Sequence, residues 1–342
     1  MRSAFRDHLW PVTIRATGDY RFQAGGTLSA SQPKTELIAK AAWLYFVGNR
    51  TQQEIADELD VSRPTVNRLI ALASGSGLVQ VRINHPIREC MEASEALKKR
   101  YDLGVCEVCP DDPASADGTA TRIAMTGAAV IERYLSRNDM NVLALGAGKT
   151  LTAVVEQIRP FPLPNLKILS LAGCVALDGS FNRFDVGLRM ADKTGGKHFL
   201  LPMPLIARSV EEKNVWRSTS LCDVVDQLYT QATTAFIGIG ELAQKCPLVD
   251  YGFITPEEAT ALTTQGAVAE ILGWPIDRNG ALVKTEWTGR VTSSDLDRLV
   301  TRPMIAIAGG QGKFQAIAAA LKGRWISGLV TDLQTAQELL HR

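Results

Sequence analysis

Three glycine-bearing segments carry the residue types that hold anions and hydroxyl groups: Leu145-Gly-Ala-Gly-Lys-Thr-Leu151, Gly238-Ile-Gly-Glu-Leu242 and Ile307-Ala-Gly-Gly-Gln-Gly-Lys313. Each follows an apolar run with strand character. Glycine there lets backbone amides approach an anion, and the N-terminus of the next helix adds a favourable dipole. Candidate ligand contacts are therefore Gly146, Gly148, Lys149 and Thr150, then Gly240 and Glu241, then Gly309, Gly310 and Lys313. The ligand class is a phosphorylated or polyhydroxy small molecule at the carboxyl ends of strands. Gly148-Lys149-Thr150 stops short of a nucleoside triphosphate loop, because Leu143 stands where the earlier glycine is required. The third glycine of a dinucleotide fingerprint is missing too, so no nucleotide cofactor is expected.

A second constellation points to nucleic acid. From Thr51 to Ile70, small Ala56 sits where two short helices must touch, and Ile55, Leu59, Val61, Val66 and Leu69 fall at core spacing. Two helices packed at a steep angle satisfy this pattern. Thr51 and Glu54 form a capping box, Ser62 caps the second helix ahead of Pro64, and Asp60 occupies a turn position that favours left-handed backbone. With the second helix in the major groove, Arg63, Thr65, Asn67 and Arg68 face the bases, while Thr51, Gln52 and Ser62 are placed for phosphate. Arg donates two hydrogen bonds to guanine, and Asn pairs with adenine in the same bidentate way. The competing reading is a helical pair in an ordinary bundle.

Other chemistries find less support. Cys106-Glu-Val-Cys109 has the spacing of a metal or redox pair, but no second such pair or nearby histidine completes a zinc set, and buried strand cysteines are the preferred reading. The histidines at 8, 85, 198 and 341 show no metal spacing, and no nucleophile-elbow serine or paired catalytic carboxylates stand out. No metal and no catalytic residue is assigned. Lys149 or Lys313 would be competent for a Schiff base with an aldehyde sugar, a weaker reading than simple ligand contact.

The net charge of +1 over 342 residues gives no global footprint for nucleic acid, so affinity for DNA must come from a local patch. The six cysteines are scattered and no signal peptide precedes them, which predicts reduced thiols and a cytoplasmic protein.

These residues need elements to position them. Residues 1–33 show no periodicity and are expected as a flexible arm. Residues 34–86 read as a helix-turn-helix domain: a helix with Leu37, Ile38, Ala41, Leu44 and Tyr45 on one face, the helix pair, and a strand or wing over Leu78–Ile83. Residues 87–101 read as a polar linker helix. In 102–342, apolar runs at Val105–Val108, Val142–Leu145, Ile168–Leu171, His198–Leu201, Ala235–Ile239, Met304–Ala308 and Ile326–Val330 alternate with helical patterns. Continuous rather than alternating runs predict strands covered on both faces, hence a mainly parallel α/β sheet.

Taken in order, the helix-turn-helix, Gly146–Leu151, Gly266–Leu272 with Asp277–Gly280, Ala308-Gly-Gly with Lys313–Ile317, and Leu329–Ala336 resemble the SorC-type (sorbitol operon regulator) sugar-responsive transcription factors. The resemblance runs from about Lys34 to the C-terminus. It implies an α/β chain with an N-terminal winged helix-turn-helix and a C-terminal Rossmann-like effector domain, similar to sugar-phosphate isomerases and deaminases. It also implies operator DNA as partner, a homotetramer, and an effector that is a sugar, a polyol or a phosphate of either. By position, Gly148, Lys149 and Thr150 match the first phosphate loop, Glu270 a hydroxyl-binding acid, Lys313 a second charged contact and Asn182 a polar ligand contact; the competing reading of Glu270 is a structural cap of the turn at Gly273. Ala147 and Lys149 stand where many relatives carry Trp and Arg, which leaves an unphosphorylated polyol open. The alternative function is an isomerase or deaminase with an added DNA-binding head.

Overall fold

The computed structural model describes residues 13–15, 32–82, 87–111, 116–175, 180–181 and 184–341. Two compact units divide the chain, Met1–Arg88 and Glu89–Arg342.

In the small unit, strand β1 (Thr13–Arg15) is followed by helices α1 (Gln32–Phe46), α2 (Gln52–Glu58) and α3 (Arg63–Gly75), then strand β2 (Gln80–Arg82). Ala41, Ile55, Ala56, Val66 and Leu69 are buried together, with Leu37, Ile38, Leu44, Leu59 and Val61 packed around them. Small Ala56, 3% exposed, lets the helices approach. β1 pairs antiparallel with β2, Ile14 opposite Val81. Thr13–Arg15 is thus a strand, where the lack of periodicity predicts a flexible arm; the rest of that leader up to residue 31 lies outside the described residues.

Helix α4 (Ile87–Tyr101) starts at the boundary, and from Glu89 onward it belongs to the large unit. Its Cys90, Ala93 and Leu97 are buried in the main core of this unit. A helix expected to be a polar linker is therefore amphipathic, because its charged residues occupy only the outer face. Next come β3 (Val105–Cys109), α5 (Ala116–Leu135), β4 (Val142–Leu145), α6 (Lys149–Gln157), β5 (Lys167–Val175), α7 (Gly187–Thr194) and β6 (Lys197–Pro204). α8 (Val210–Arg217), α9 (Ser220–Tyr229), β7 (Thr234–Ile237), β8 (Gly240–Glu241), α10 (Pro247–Asp250) and α11 (Pro256–Thr264) follow. The chain ends with β9 (Ala267–Ile271), β10 (Trp274–Asp277), a short 3-10 turn at Trp287–Arg290, α12 (Leu296–Leu299), β11 (Met304–Ile307), α13 (Phe314–Lys322), β12 (Gly328–Asp332) and α14 (Leu333–His341).

Seven strands form one sheet in the order β3-β12-β11-β7-β4-β5-β6, every pair parallel. Side chains alternate between its faces. Val142, Ala144, Leu169, Leu171, Ala235, Ile237, Ala306 and Leu329 enter one core, while Leu143, Leu145, Ile168, Phe236, Ile305, Ile307 and Val330 enter the other. Both faces are covered over the central strands, which is why β4, β7, β11 and β12 are buried throughout and read as apolar runs. Strand order reverses between β4 and β7: the chain runs from β4 outward through β5 and β6, then returns to place β7 on the other side of β4. Loops leaving two such strands diverge and leave a crevice at their carboxyl ends. A small antiparallel sheet, β10-β9-β8, stands beside it.

Candidate functional site

The crevice between β4 and β7 is occupied by a cavity of about 220 Å³. Around it gather Gly148, Lys149 and Thr150 from the loop after β4, Gly238 and Gly240 from the loop after β7, Glu270 and Gly273 from the small sheet, and Lys313 ahead of α13. Phe184, Leu248, Tyr251 and Phe253 supply apolar walls. Wider recesses of about 440 and 430 Å³ lie elsewhere on the unit. The first of these includes Met140, Asn141 and Leu166, at the amino ends of β4 and β5, away from the glycine loops and the helix starts that follow them.

Each wall follows from local structure. Gly148 is the N-cap of α6 with φ of 132°, a conformation that side chains rarely adopt, and as glycine it brings no capping group. The first-turn amides of α6 therefore begin at the cavity, beside Lys149 and Thr150. Gly240 makes room for an acid: a methyl there would collide with the Glu270 carboxylate. Glu270 accepts from the Gly273 amide through Oε2 at 2.7 Å. Burial pushes its carboxyl pKa up, opposed by the Gly273 hydrogen bond and the charge of Lys313. Lys313 donates from Nζ to the Ile239 carbonyl at 3.2 Å. A buried carboxyl, two lysine side chains and a helix start can bind a small molecule bearing hydroxyls or an anionic group.

Of the predicted effector contacts, Gly148, Lys149, Thr150, Gly240, Glu270 and Lys313 meet at the cavity. Gly146 instead packs under the loop, where a methyl would press on Leu272 at 3.1 Å. Gly309 and Gly310 are engaged away from it: the Gly310 amide donates to Asp332 Oδ2 at 2.6 Å, and a methyl on Gly309 would strike the same carboxylate. Glu241 lies beside Gly312 rather than on the cavity wall. Asn182 lies outside the described residues. Sequence reasoning misses the aromatic walls and the strands β9 and β10 that flank the Gly273 turn, the first of which carries Glu270. The hairpin they form turns on Leu272 and Gly273, with φ of 53° and 86°.

Cys106 and Cys109 stand three residues apart on β3 and enter opposite cores of the sheet, so they cannot act as one pair. Burial raises their thiol pKa values to about 11 and about 12, which keeps both thiols protonated.

The small unit gathers the other candidates on one pair of helices. The Thr51 hydroxyl accepts from the Glu54 amide, and the Glu54 carboxylate accepts from the Thr51 amide at 2.7 Å, completing the capping box. That pairing holds the Glu54 carboxyl below its usual pKa. The Ser62 hydroxyl accepts from the Thr65 amide at 3.4 Å and caps α3. Asp60 takes φ of 51° in the turn. Arg63, Asn67 and Arg68 are exposed on α3, Thr65 is half-buried, and Val66 and Leu69 point into the core. Arg63 also reaches Gln52 Oε1 at 3.5 Å, tying together the two helix starts that carry the predicted contacts. A polar face with two guanidinium groups and an amide is thereby presented by a helix whose opposite face is fixed, a geometry suited to reading base edges in a major groove.

Residues 85–341 match the family model described as "Putative sugar-binding domain". Over 309 residues the chain is 33% identical to the "Erythritol catabolism regulatory protein EryD" of Brucella abortus (strain 2308), covering 89% of this chain and 96% of that one. It is 29% identical over 309 residues to the "Transcriptional regulator LsrR" of Klebsiella pneumoniae, covering 89% and 93%. The crystal structure of the full-length sorbitol operon regulator SorC from Klebsiella pneumoniae aligns with a TM-score of 0.68 at 25% identity, over 90% of this chain and 98% of that chain. The named relatives are transcription regulators rather than enzymes. An isomerase or deaminase function therefore finds no support among them.

Proposed function

The chain belongs to the SorC-type sugar-binding transcription regulators, and from that premise we propose that it reads operator DNA with α3 and is switched by a short-chain polyol or sugar, free or phosphorylated, in the crevice between β4 and β7. The convergence of Lys149, Glu270 and Lys313 on one small cavity at the start of α6 carries this reading. At about 220 Å³ the space falls below the roughly 300–1,000 Å³ usual for drug-sized ligands, which favours a short carbon chain. One relative's name associates it with erythritol catabolism, and a four-carbon polyol is the first effector to try. Lys149, Thr150 and the α6 amides take the terminal hydroxyl or phosphate; Glu270 and Lys313 take the remaining hydroxyls.

On the DNA side, Arg63, Thr65, Asn67 and Arg68 address base edges and Thr51, Gln52 and Ser62 the phosphates. The resemblance to the SorC-type regulators implies a homotetramer and the scattered cysteines fit the cytoplasm; the modest charge of the whole chain fits an affinity gained by pairing several heads on one operator, because linked heads gain affinity without new contacts. Effector binding shifts the population between arrangements of different operator affinity.

The test is a thermal-shift screen of tetritols, pentitols, hexitols and their phosphates on the full chain, followed by operator titration with any stabilising compound. A polyol or sugar phosphate that raises the melting temperature and moves the operator titration is expected. Silence across the whole panel removes the effector assignment.

A further inference from the structure

Behind the cavity wall lies a buried polar cluster that the ligand contacts do not use. Ser170 on β5 is 2% exposed and Asp185, just ahead of α7, is 4% exposed. The Ser170 hydroxyl donates to Asp185 Oδ2 at 2.7 Å, and His198 Nε2 on β6 lies 2.7 Å from the same hydroxyl oxygen. Asp185 Oδ1 accepts from the Gly187 amide at 2.9 Å. Gly187 is required for this arrangement, since a methyl there would occupy the place of His198 Nε2.

Proton counting fixes the polarity of the chain. A serine hydroxyl has one proton; once it goes to Asp185, the 2.7 Å contact with His198 is made only if Nε2 carries a proton and donates to Ser170. Serine therefore stands between acid and imidazole, with its oxygen already accepting. In a hydrolytic triad the imidazole stands in the middle and takes the serine proton. The cluster is thus no nucleophile, and its work must be structural.

What it holds is a wall of the cavity. Phe184, next to Asp185, lines the cavity and stacks on Tyr251 with ring centroids 4.1 Å apart. The Phe184 carbonyl accepts from the Gly148 amide at 3.1 Å, and Asp185 bridges antiparallel to Ala147. We propose that Asp185, anchored by Ser170 and His198, is a positioning residue of the effector site: it pins the Phe184 segment to the sheet and, through the Phe184 carbonyl, sets the Gly148 loop at the start of α6. This rests on the cavity being the effector site.

Amide hydrogen exchange on the ligand-free full chain tests it without any effector, comparing native protein with Ser170→Ala and Asp185→Ala. The Gly148 amide, bonded to Phe184, reports on the latch. The Gly146 amide, bonded to the Phe236 carbonyl at 2.8 Å inside the sheet, is the control. Gly148 should exchange about tenfold faster in Ser170→Ala, the loss of roughly one buried hydrogen bond, with Gly146 unchanged. Asp185→Asn keeps an acceptor for Gly187 and presents its amide N–H to the Ser170 oxygen, which then turns its own proton to Nε2 of His198 in the other tautomer, and should restore most of the protection lost in Asp185→Ala. Unchanged Gly148 exchange in Ser170→Ala overturns the proposal, and so does equal acceleration of Gly146 and Gly148, which would make the cluster an ordinary core element. A parallel titration with erythritol should show weaker binding in Ser170→Ala. If native protein binds no member of the polyol panel while Gly148 responds as expected, the effector reading fails and the latch stands.

Discussion

The DNA-reading head and the effector unit each present a handful of polar side chains from a fixed scaffold, but the scaffolds work over different ranges of sequence. In the head, Thr51 caps α2 in a box with Glu54, Ser62 caps α3 by accepting from the Thr65 amide, the turn at Asp60 joins α2 to α3, and a core of five buried side chains lies behind them. The proposed effector site draws Gly148, Phe184, Gly240, Glu270 and Lys313 from five segments that only the parallel sheet brings together. Local hydrogen bonds suffice to aim one helix. A ligand cavity needs a large core, and the large core can absorb damage that the small one cannot.

The same truncation in each core measures that difference. Ile55→Ala and Ile168→Ala both remove a fully buried side chain, at a cost of about 2–5 kcal/mol. In the head this is a large part of the stability a domain of that size can have, so Ile55→Ala should abolish operator binding while leaving the effector-induced thermal shift of the large unit intact. Ile168→Ala should leave a folded protein whose large unit melts lower by about 2–4 °C for each kcal/mol lost. Native operator affinity in Ile55→Ala would break the contrast.

Single charged contacts sharpen it next. Arg68→Ala removes a guanidinium from an exposed helix face and, on the proposed base-reading role, should weaken operator binding by about 1–3 kcal/mol per head, with effector binding unchanged. Lys313→Ala removes a charge-assisted contact of about 1.5–3 kcal/mol and should weaken the effector response about 10–100-fold with operator binding unchanged. Titrations of operator and polyol on both variants separate the two effects. Loss of both activities in either variant would mean that the residue supports folding rather than contact.

The two regions also differ in how far their sequences disclose them. Capping box, N-cap serine, turn aspartate and small Ala56 all signal over a few residues, so the helix pair is legible from the sequence alone. The seven sheet strands are legible too, most plainly β4, β7, β11 and β12, where burial on both faces makes the apolar runs continuous. The strands β9 and β10 are hidden although Gly273 marks the turn between them: the turn's other positive-φ position is Leu272, where asparagine or glycine is the usual mark. Phe184, Tyr251 and Phe253 lie outside the strands and longer helices of the unit, and no periodicity points to them. Gly309-Gly310 carries the opposite error. A glycine pair after a strand resembles an anion loop, but Asp332, twenty-two residues on, takes the Gly310 amide, and a local reading cannot see that partner.

Glu270 offers a smaller effect with a definite pH signature. Its folded pKa is raised above the ordinary value of 4.5, chiefly by burial, so the folded state disfavours the ionised carboxyl. The penalty is absent below about 4.5, grows as pH rises through the raised folded value and is constant above it. Glu270→Gln keeps an acceptor for the Gly273 amide and removes the charge. Its melting temperature should exceed the native value by a few degrees at most near pH 7, with the gain shrinking as pH falls toward about 4. A gain independent of pH would assign the effect to packing instead.

The smallest difference concerns one backbone conformation found in both regions. Asp60 in the head and Leu272 in the effector unit take φ of 51° and 53°. Left-handed backbone costs an ordinary side chain roughly 1–2 kcal/mol, and aspartate less. Leu272 is 8% exposed, and Gly146 leaves it room, so packing in the large core offsets its strain. Asp60 is exposed and has no comparable packing to draw on. Asp60→Gly should therefore change head stability by no more than about 0.5 kcal/mol, and Asp60→Leu should lower it by about 1 kcal/mol, both read from thermal melts of operator binding. Equal melts for the two variants would mean that the turn between α2 and α3 does not hold the left-handed conformation in solution, and the local scaffold assigned to the head would lose one of its parts.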